Sequence, residues 1–241
     1  GYDLPKVIAG SWGTLAVVSD VTLKVLPAAE TEQTFALEGL SDEKAVEAMS
    51  EALQSSCEVS GVAHLPEGVI GAAATVFRIE GIGPSVAYRV DKLAGLLKDA
   101  GASEKLDVDA SKNLWRCVRD VSFFADGSKR PAWRLSVPPM DGPKVIQAIA
   151  AKCDCRWFYD WAGGLIWCEV PEADNACEET VRAAVAQTTG HATLIRASQA
   201  IRAAVDVFQP PAPGLAVLSQ NLKTAFDPKG ILNPGRMYAE A

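Results

Sequence analysis

The feature that most constrains this chain is the order in which its short periodic segments follow one another. Residues 133–137 alternate, with Trp133, Leu135 and Val137 on one face and Arg134 and Ser136 on the other, as a half-buried strand does. A helix is expected over 143–152 and a strand over 154–161. The Gly163-Gly164 turn follows, then a strand over 165–170. Asn175 and Glu178 have the spacing of a capping box for a helix reaching Thr189, which Gly190 ends, and 192–196 reads as a closing strand. This is β-α-β-β-α-β, the ferredoxin-like order.

Residues 32–100 carry the same order without its last strand. A strand is expected over 32–39, then a helix capped by Ser41 and running to Ser55, with Asp42 and Glu43 at its positive end. Its apolar stripe is Ala45, Met49, Ala52 and Leu53. Strands over 57–65 and 73–79 come next, then a helix from Pro84 to Ala100. The two stretches share an element order and no evident residue identity. Together they predict an α+β fold: ferredoxin-like βαββα(β) units in a mainly antiparallel sheet of about seven strands, with helices on one face. Alternation puts Trp157, Tyr159 and Trp161 on one face and Phe158 on the other, either as core or, if exposed, as an interface.

Outside the repeat, 103–130 is more polar and holds a helix-like run, Lys112 to Val121. The β-branched run 14–26 predicts a strand stopped by Pro27. A proline-rich link at 208–214 leads to a helix over Leu215–Phe226 and to two turns, Asp227-Pro228-Lys229-Gly230 and Asn233-Pro234-Gly235.

Several function classes are excluded. Lys and Arg number 23 against 30 Asp and Glu, and a net charge of −7 lacks the basic face of a nucleic-acid binder. No apolar run approaches the roughly 18 residues of a membrane span. The six cysteines have no zinc spacing, only His64 and His191 are available beside them, and no metal site is expected. They read as buried reduced thiols. Gly81-x-Gly83 has Val86 where a dinucleotide fingerprint needs its third glycine, and reads as a turn.

The two ends carry a resemblance. Gly10-Ser11-Trp12-Gly13-Thr14-Leu15-Ala16-Val17-Val18-Ser19-Asp20-Val21-Thr22-Leu23-Lys24 resembles the end of the FAD-binding domain in the vanillyl-alcohol-oxidase type of FAD-dependent oxidases. Phe226-Asp227-Pro228-Lys229-Gly230-Ile231-Leu232-Asn233-Pro234-Gly235-Arg236 resembles that family's C-terminal close. The stretches 133–139, 160–167 and 191–197 are similar to E-type subunits of glycolate oxidase within it. Trp12 and Ala16 depart from the common pattern, which has a polar residue and a glycine there.

The resemblance implies a C-terminal portion of a longer protein, consistent with a chain that opens on Gly1. On that expectation residues 1–27 belong to an FAD-binding domain whose pyrophosphate loop lies upstream. Residues 28–205 form a cap or substrate domain with halves at about 32–100 and 133–196, and 206–241 return to the FAD domain. FAD is then the parent's cofactor and is absent from this piece alone. Gly10, Ser11, Gly13 and Thr14 are of the right types to let backbone N–H groups meet a diphosphate, the alternative being a plain turn before a strand. By resemblance Val17 and Val18 offer backbone to the adenine end, and Asn233 lies near the flavin ring.

Oxidation of a 2-hydroxy acid needs a cation for the carboxylate, a base for the hydroxyl proton and an acceptor for the hydride. Arg134 and Arg196 are the candidates for the carboxylate, the alternative being salt-bridged sheet arginines. The G-E-H-G-x-G pattern of D-type relatives is absent, Arg196-Ala197-Ser198-Gln199 stands in its region, and His191 reads as structural. The resemblance therefore implies part of a glycolate oxidase complex, oxidising glycolate to glyoxylate with a D-type flavin subunit and an iron–sulfur subunit. That complex is expected in the cytoplasm, peripheral at the inner face of the membrane. This piece is expected to be inactive alone, and a homodimer is expected through its exposed strands. The alternatives are a self-sufficient FAD oxidase of another hydroxy acid and a non-catalytic assembly module.

Overall fold

The structure, a computed structural model, describes residues 3–173 and 175–238. They divide into two compact units, one formed by Pro27–Val205 and the other by the stretches up to Leu26 and from Asp206. In chain order the elements are α1 (Leu4–Ile8), β1 (Thr31–Glu38), α2 (Asp42–Gln54), β2 (Gly61–Leu65), β3 (Ala74–Gly81), α3 (Gly83–Leu96), β4 (Ser103–Leu106), α4 (Val108–Asp120), β5 (Ala132–Ser136), α5 (Gly142–Ala150), β6 (Arg156–Asp160), β7 (Leu165–Glu169), α6 (Glu178–Val185), β8 (His191–Arg196), α7 (Gln199–Ala204) and α8 (Pro213–Phe226).

The large unit is one eight-stranded sheet in the order β4-β1-β3-β2-β6-β7-β5-β8. Every pairing in it is antiparallel. Each half has the ferredoxin strand order, and the two meet through β2 and β6. The eighth strand is β4, missed in sequence because Ser103-Glu104-Lys105-Leu106 is short, polar and mostly exposed, as edge strands are. It completes the first βαββαβ unit.

One face of the sheet is covered as expected. Phe35, Leu37, Phe77 and Ile79 of the first half and Trp133, Leu135, Tyr159 and Ile166 of the second pack under α2, α3, α5 and α6 in one core. Full burial of each such side chain contributes about 1.5–3 kcal/mol. Ser41 caps α2 through Lys44 N–H, with Asp42 and Glu43 in the first turn. Leu53 is half exposed, and Val46 and Ala48 bury in its stead.

The expectation of helices on one face only is corrected by α4. It starts on an Asp107 cap and lays Trp115 and Val118 on the opposite face, over Ala36, Ala63, Leu65 and Val76. Trp115 Nε1 donates to Thr34 Oγ1 at 2.8 Å. The small residues of β1 and β2 on this face leave room for the indole. Phe123 and Phe124 then close over Phe158 with edge-on rings.

The two halves share only two register pairs, Ala63↔Asp160 and His64↔Tyr159. A polar clasp reinforces them on the helix-covered face. Asp42 Oδ2, from the start of α2, accepts hydrogen bonds from Trp157 Nε1 at 2.9 Å and Tyr159 OH at 2.6 Å. His64 Nε2 stands 3.2 Å from Asp42 Oδ1, an ion-pair distance without hydrogen-bond alignment. His64 Nδ1 shares a hydrogen bond with Thr75 at 2.9 Å. Burial opposes ionisation of Asp42, but the contacts of His64, Tyr159 and Trp157 outweigh it and hold the carboxyl below its ordinary value.

Three further expectations are corrected. Residues 14–26 form no strand, for no strand among the described residues offers them hydrogen bonds, and Val17, Val21, Leu23 and Val25 stay exposed. The helix expected from Asn175 to Thr189 spans only Glu178–Val185. Cys177 stands at its N-cap with φ +54°, and Asn175 serves the preceding turn by accepting from Cys177 N–H at 3.1 Å. Trp161 does not continue the face of Trp157 and Tyr159. It and Ala162 have φ of +52° and +55°, which turns the chain over and puts the Trp161 ring on the other side of the sheet.

Candidate functional site

Beyond β6 no α-helix among the described residues covers the face that α4 covers in the first half, and residues 126–130 lie over its Glu169 end. Leu165, Trp167 and Arg134 stand on that face, beside Asp160 at the end of β6. Together with Trp115, Arg78 and the exposed face of α4 they line a cavity of about 780 Å³. Five of its lining residues are Lys or Arg and two are acidic, in a chain whose net charge is −7. An open, cationic cavity walled by indoles suits a small anion.

Arg134 projects from the middle of β5 and makes no hydrogen bond or ion pair among the described residues. Its guanidinium lies over the Trp161 ring, 5.4 Å from the centroid. Trp161 is 58% exposed and is held there by left-handed backbone. Such strain in a bulky residue costs about 1–3 kcal/mol and persists where the surroundings impose it. They do so here. Asp160 Oδ1 accepts Trp161 N–H at 2.7 Å. Gly163 (φ +93°) is so enclosed that a Cβ there would meet Pro139 O at 2.6 Å.

Asp160 was not singled out in the sequence. Burial raises its carboxyl above the ordinary value, against the pull of Trp161 N–H and of Arg78. Its Oδ2 has no partner among the described residues. The signal that could have found it was the unusual Asp-Trp-Ala-Gly-Gly run, with an acid at the last residue of a central strand.

Arg196 is on the same face but already engaged. Its guanidinium bonds Glu169 and the carbonyls of Phe124 and Arg130. Glu169 is fully buried and is also bound by Arg156, with Arg130 Nε 3.7 Å away and Ser128 Oγ donating at 3.2 Å. This cluster fastens residues 126–130 to the sheet. Arg134 and Arg196 therefore share a surface but do not form a pair of free cations. His191 is exposed at the head of β8, opposite Ser136.

The other candidate residues lie in the small unit, where the two end motifs meet. Gly10, Trp12 and Gly13 have φ of +84°, +54° and +77°. Ser11 and Thr14 are buried, and their N–H groups bond Ile8 O and Ser11 O inside the loop. The N–H groups of Trp12 and Gly13 make no bond among the described residues. A Cβ on Gly13 would meet Asn233 Nδ2 at 2.8 Å, and that amide donates to Gly13 O at 2.9 Å.

Lys223, unremarked in the sequence, is the hub of this unit. Its buried ammonium donates to Thr14 O at 2.9 Å, Leu232 O at 2.8 Å and Asp227 Oδ2 at 2.7 Å. Asp227 also accepts the N–H groups of Ile231 and Leu232, and Lys223 with these donors lowers its carboxyl to about 2. The i,i+4 spacing of Lys223 and Asp227 was the available signal. Val17 and Val18 are exposed on the extended segment beyond the loop.

All six cysteines are free thiols, and burial pushes Cys153 up to about 12, far from a reactive thiolate. No group of three or more His, Cys, Asp or Glu fit to hold a metal ion occurs among the described residues. No helix among them is long and apolar enough to cross a membrane.

No protein-family model matches the chain. Two curated relatives align along its whole length. It is 28% identical over 240 residues to glycolate oxidase subunit GlcE of Escherichia coli (strain K12). It is 26% identical over 274 residues to glycolate oxidase subunit GlcD of Bacillus subtilis (strain 168). The chain spans 58% of the length of each. Among solved structures, alkyldihydroxyacetonephosphate synthase superposes on 97% of the chain with TM-score 0.62 and 13% identity, over 49% of that protein. A 4-ethylphenol oxidase from Gulosibacter chungangensis covers 89% with TM-score 0.53 and 13% identity, over 55% of its own length. The latter likenesses show the fold.

Proposed function

We propose, on the premise that this chain is a homologue of glycolate oxidase subunits in the vanillyl-alcohol-oxidase type of FAD-linked oxidases, that it is the substrate-covering part of an FAD-linked subunit that oxidises a small 2-hydroxy acid. Glycolate, giving glyoxylate, is the substrate read from the relatives' names. The observation that carries the reading is Arg134: an unpaired guanidinium on the open face of the sheet, in a cationic cavity. Arg134 binds the substrate carboxylate, and the indoles of Trp161 and Trp167 exclude water around it.

The small unit fits a diphosphate group in kind, because Gly10 and Gly13 are left-handed and the N–H groups of Trp12 and Gly13 have no partner among the described residues. Gly10, Ser11, Gly13 and Thr14 would line that group, Val17 and Val18 would offer backbone beyond it, and Asn233 would stand toward the ring. Bound FAD supplies the two-electron acceptor. In this reading Pro27–Val205 is the cap, and both ends of the chain belong to the FAD domain. The partners are a D-type flavin subunit and an iron–sulfur subunit, and the complex is cytoplasmic and peripheral to the membrane.

The test is reduction of a dye by glycolate. Alone, the 241-residue chain is expected to be colourless and inactive. In the complete subunit with its partners, Arg134→Gln should raise KM for glycolate by about two orders of magnitude, the loss of one charge-assisted carboxylate contact, at unchanged flavin absorbance. An unchanged KM refutes the role of Arg134. Turnover by the chain alone, at the rate of the complex, favours the self-sufficient oxidase.

A further inference from the structure

A guanidinium that binds a carboxylate does not tell a 2-hydroxy acid from a simple carboxylic acid. The cavity holds a second polar group placed on the same face. Asp160 ends β6 on the face that carries Arg134, and both line the same space. One carboxylate oxygen accepts Trp161 N–H at 2.7 Å. That second oxygen accepts nothing among the described residues. The strained turn at Trp161 and Ala162 couples the two groups, because the same indole that stacks under Arg134 follows Asp160 in the chain and is anchored by its side chain.

We infer that Arg134 and Asp160 form a two-point site for a small 2-hydroxy carboxylate, with the guanidinium taking the carboxylate and Asp160 Oδ2 accepting the hydrogen bond of the hydroxyl. The inference rests on the reading of Arg134 as the carboxylate group's partner and adds the residue that sets specificity. The surplus of cations around the cavity lets an anion approach although Asp160 is itself acidic. Raising the Asp160 carboxyl has the same physical origin as its role, since a desolvated acceptor gains most from a hydroxyl donor.

The consequence is discrimination by hydroxyl. An analogue that lacks the hydroxyl leaves a desolvated carboxylate oxygen without its donor, and sites built on such a bond reject the analogue. The experiment is an equilibrium titration of the 241-residue chain at fixed ionic strength. Indole fluorescence is followed, and the Trp161 component is identified with Trp161→Phe. The probes are glycolate, acetate, which has no hydroxyl, and glycolamide, which has no carboxylate.

Glycolate is expected to bind about tenfold more tightly than acetate, one charge-assisted hydrogen bond converted to affinity, and glycolamide not to bind. Asp160→Asn keeps an oxygen for Trp161 N–H and should bring glycolate and acetate to within about twofold of each other. Arg134→Gln should abolish binding of both, and His191→Asn should change neither. Circular dichroism of each variant checks that the fold is kept. Equal affinity for glycolate and acetate in the unsubstituted chain overturns the role of Asp160 and leaves that of Arg134 standing. A preference that survives Asp160→Asn does the same. Binding of acetate that survives Arg134→Gln overturns both.

Discussion

The two halves of the sheet have the same strand order and different second faces. In β4-β1-β3-β2 the second face is sealed by Trp115 and Val118 of α4. In β6-β7-β5-β8 no α-helix among the described residues lies over it; Phe123 and Phe124 cover Phe158 of β6, and Arg134, Asp160 and Trp167 stand around a cavity. The difference comes from one insertion. The segment 107–124, between the last strand of the first half and the first strand of the second, folds back over the first half and ends on Phe158 at the seam. A repeated scaffold thus acquires one closed half and one open half, and the proposed site lies on the open one.

The comparison breaks most visibly at the two indoles. Trp115→Ala should destabilise the chain by about 3–5 kcal/mol, since it empties the second core and removes the indole's hydrogen bond to Thr34. Trp167→Ala, on the open half, should cost about 1 kcal/mol. Denaturant unfolding measures both, and equal losses would show that the second half is covered in solution. Glu169→Gln comes next. The buried carboxylate holds Arg156 and Arg196, so removing its charge should cost about 3 kcal/mol and loosen residues 126–130, seen as faster amide exchange there.

The seam responds to acid. Asp42 has a folded pKa below its ordinary value of 3.8. Its contribution is therefore complete above that value and is lost as the pH falls through the lower folded value. Asp42→Asn should remove about 1–3 kcal/mol at neutral pH and flatten the dependence of stability on pH below about 4. An acid titration of unfolding that the substitution leaves unchanged would remove Asp42 from the seam. Arg134→Gln should change stability least, by under about 0.5 kcal/mol, because its guanidinium makes no ion pair to lose.

Much of the fold was legible. The period-2 segments, the Ser41 cap and the helix-starting Pro84 placed seven of the eight strands, and the helices of both halves, within a few residues of where the structure has them. The misses share a cause. β4 is polar because an edge strand has little to bury, and the run 14–26 looks like a strand because composition reports what a segment would pair with, not whether a partner is there. Arg134 was legible as the polar residue of an alternating strand. Asp160 was not, since its importance comes from the left-handed turn after it, and no residue type announces that turn at Trp161.

The sequence by itself determined the α+β class, the doubled ferredoxin order and the two end motifs, for these depend on local period, turn chemistry and residue identity. Only the tertiary structure decided which arginine is free. Arg134 and Arg196 look alike in sequence, each in an alternating strand of the same half. One faces an open cavity under an indole, and the other is bound to a carboxylate 27 residues away in the chain. Charge pairing is set by which strands become neighbours and by what the chain lays over them, and neither is a local property.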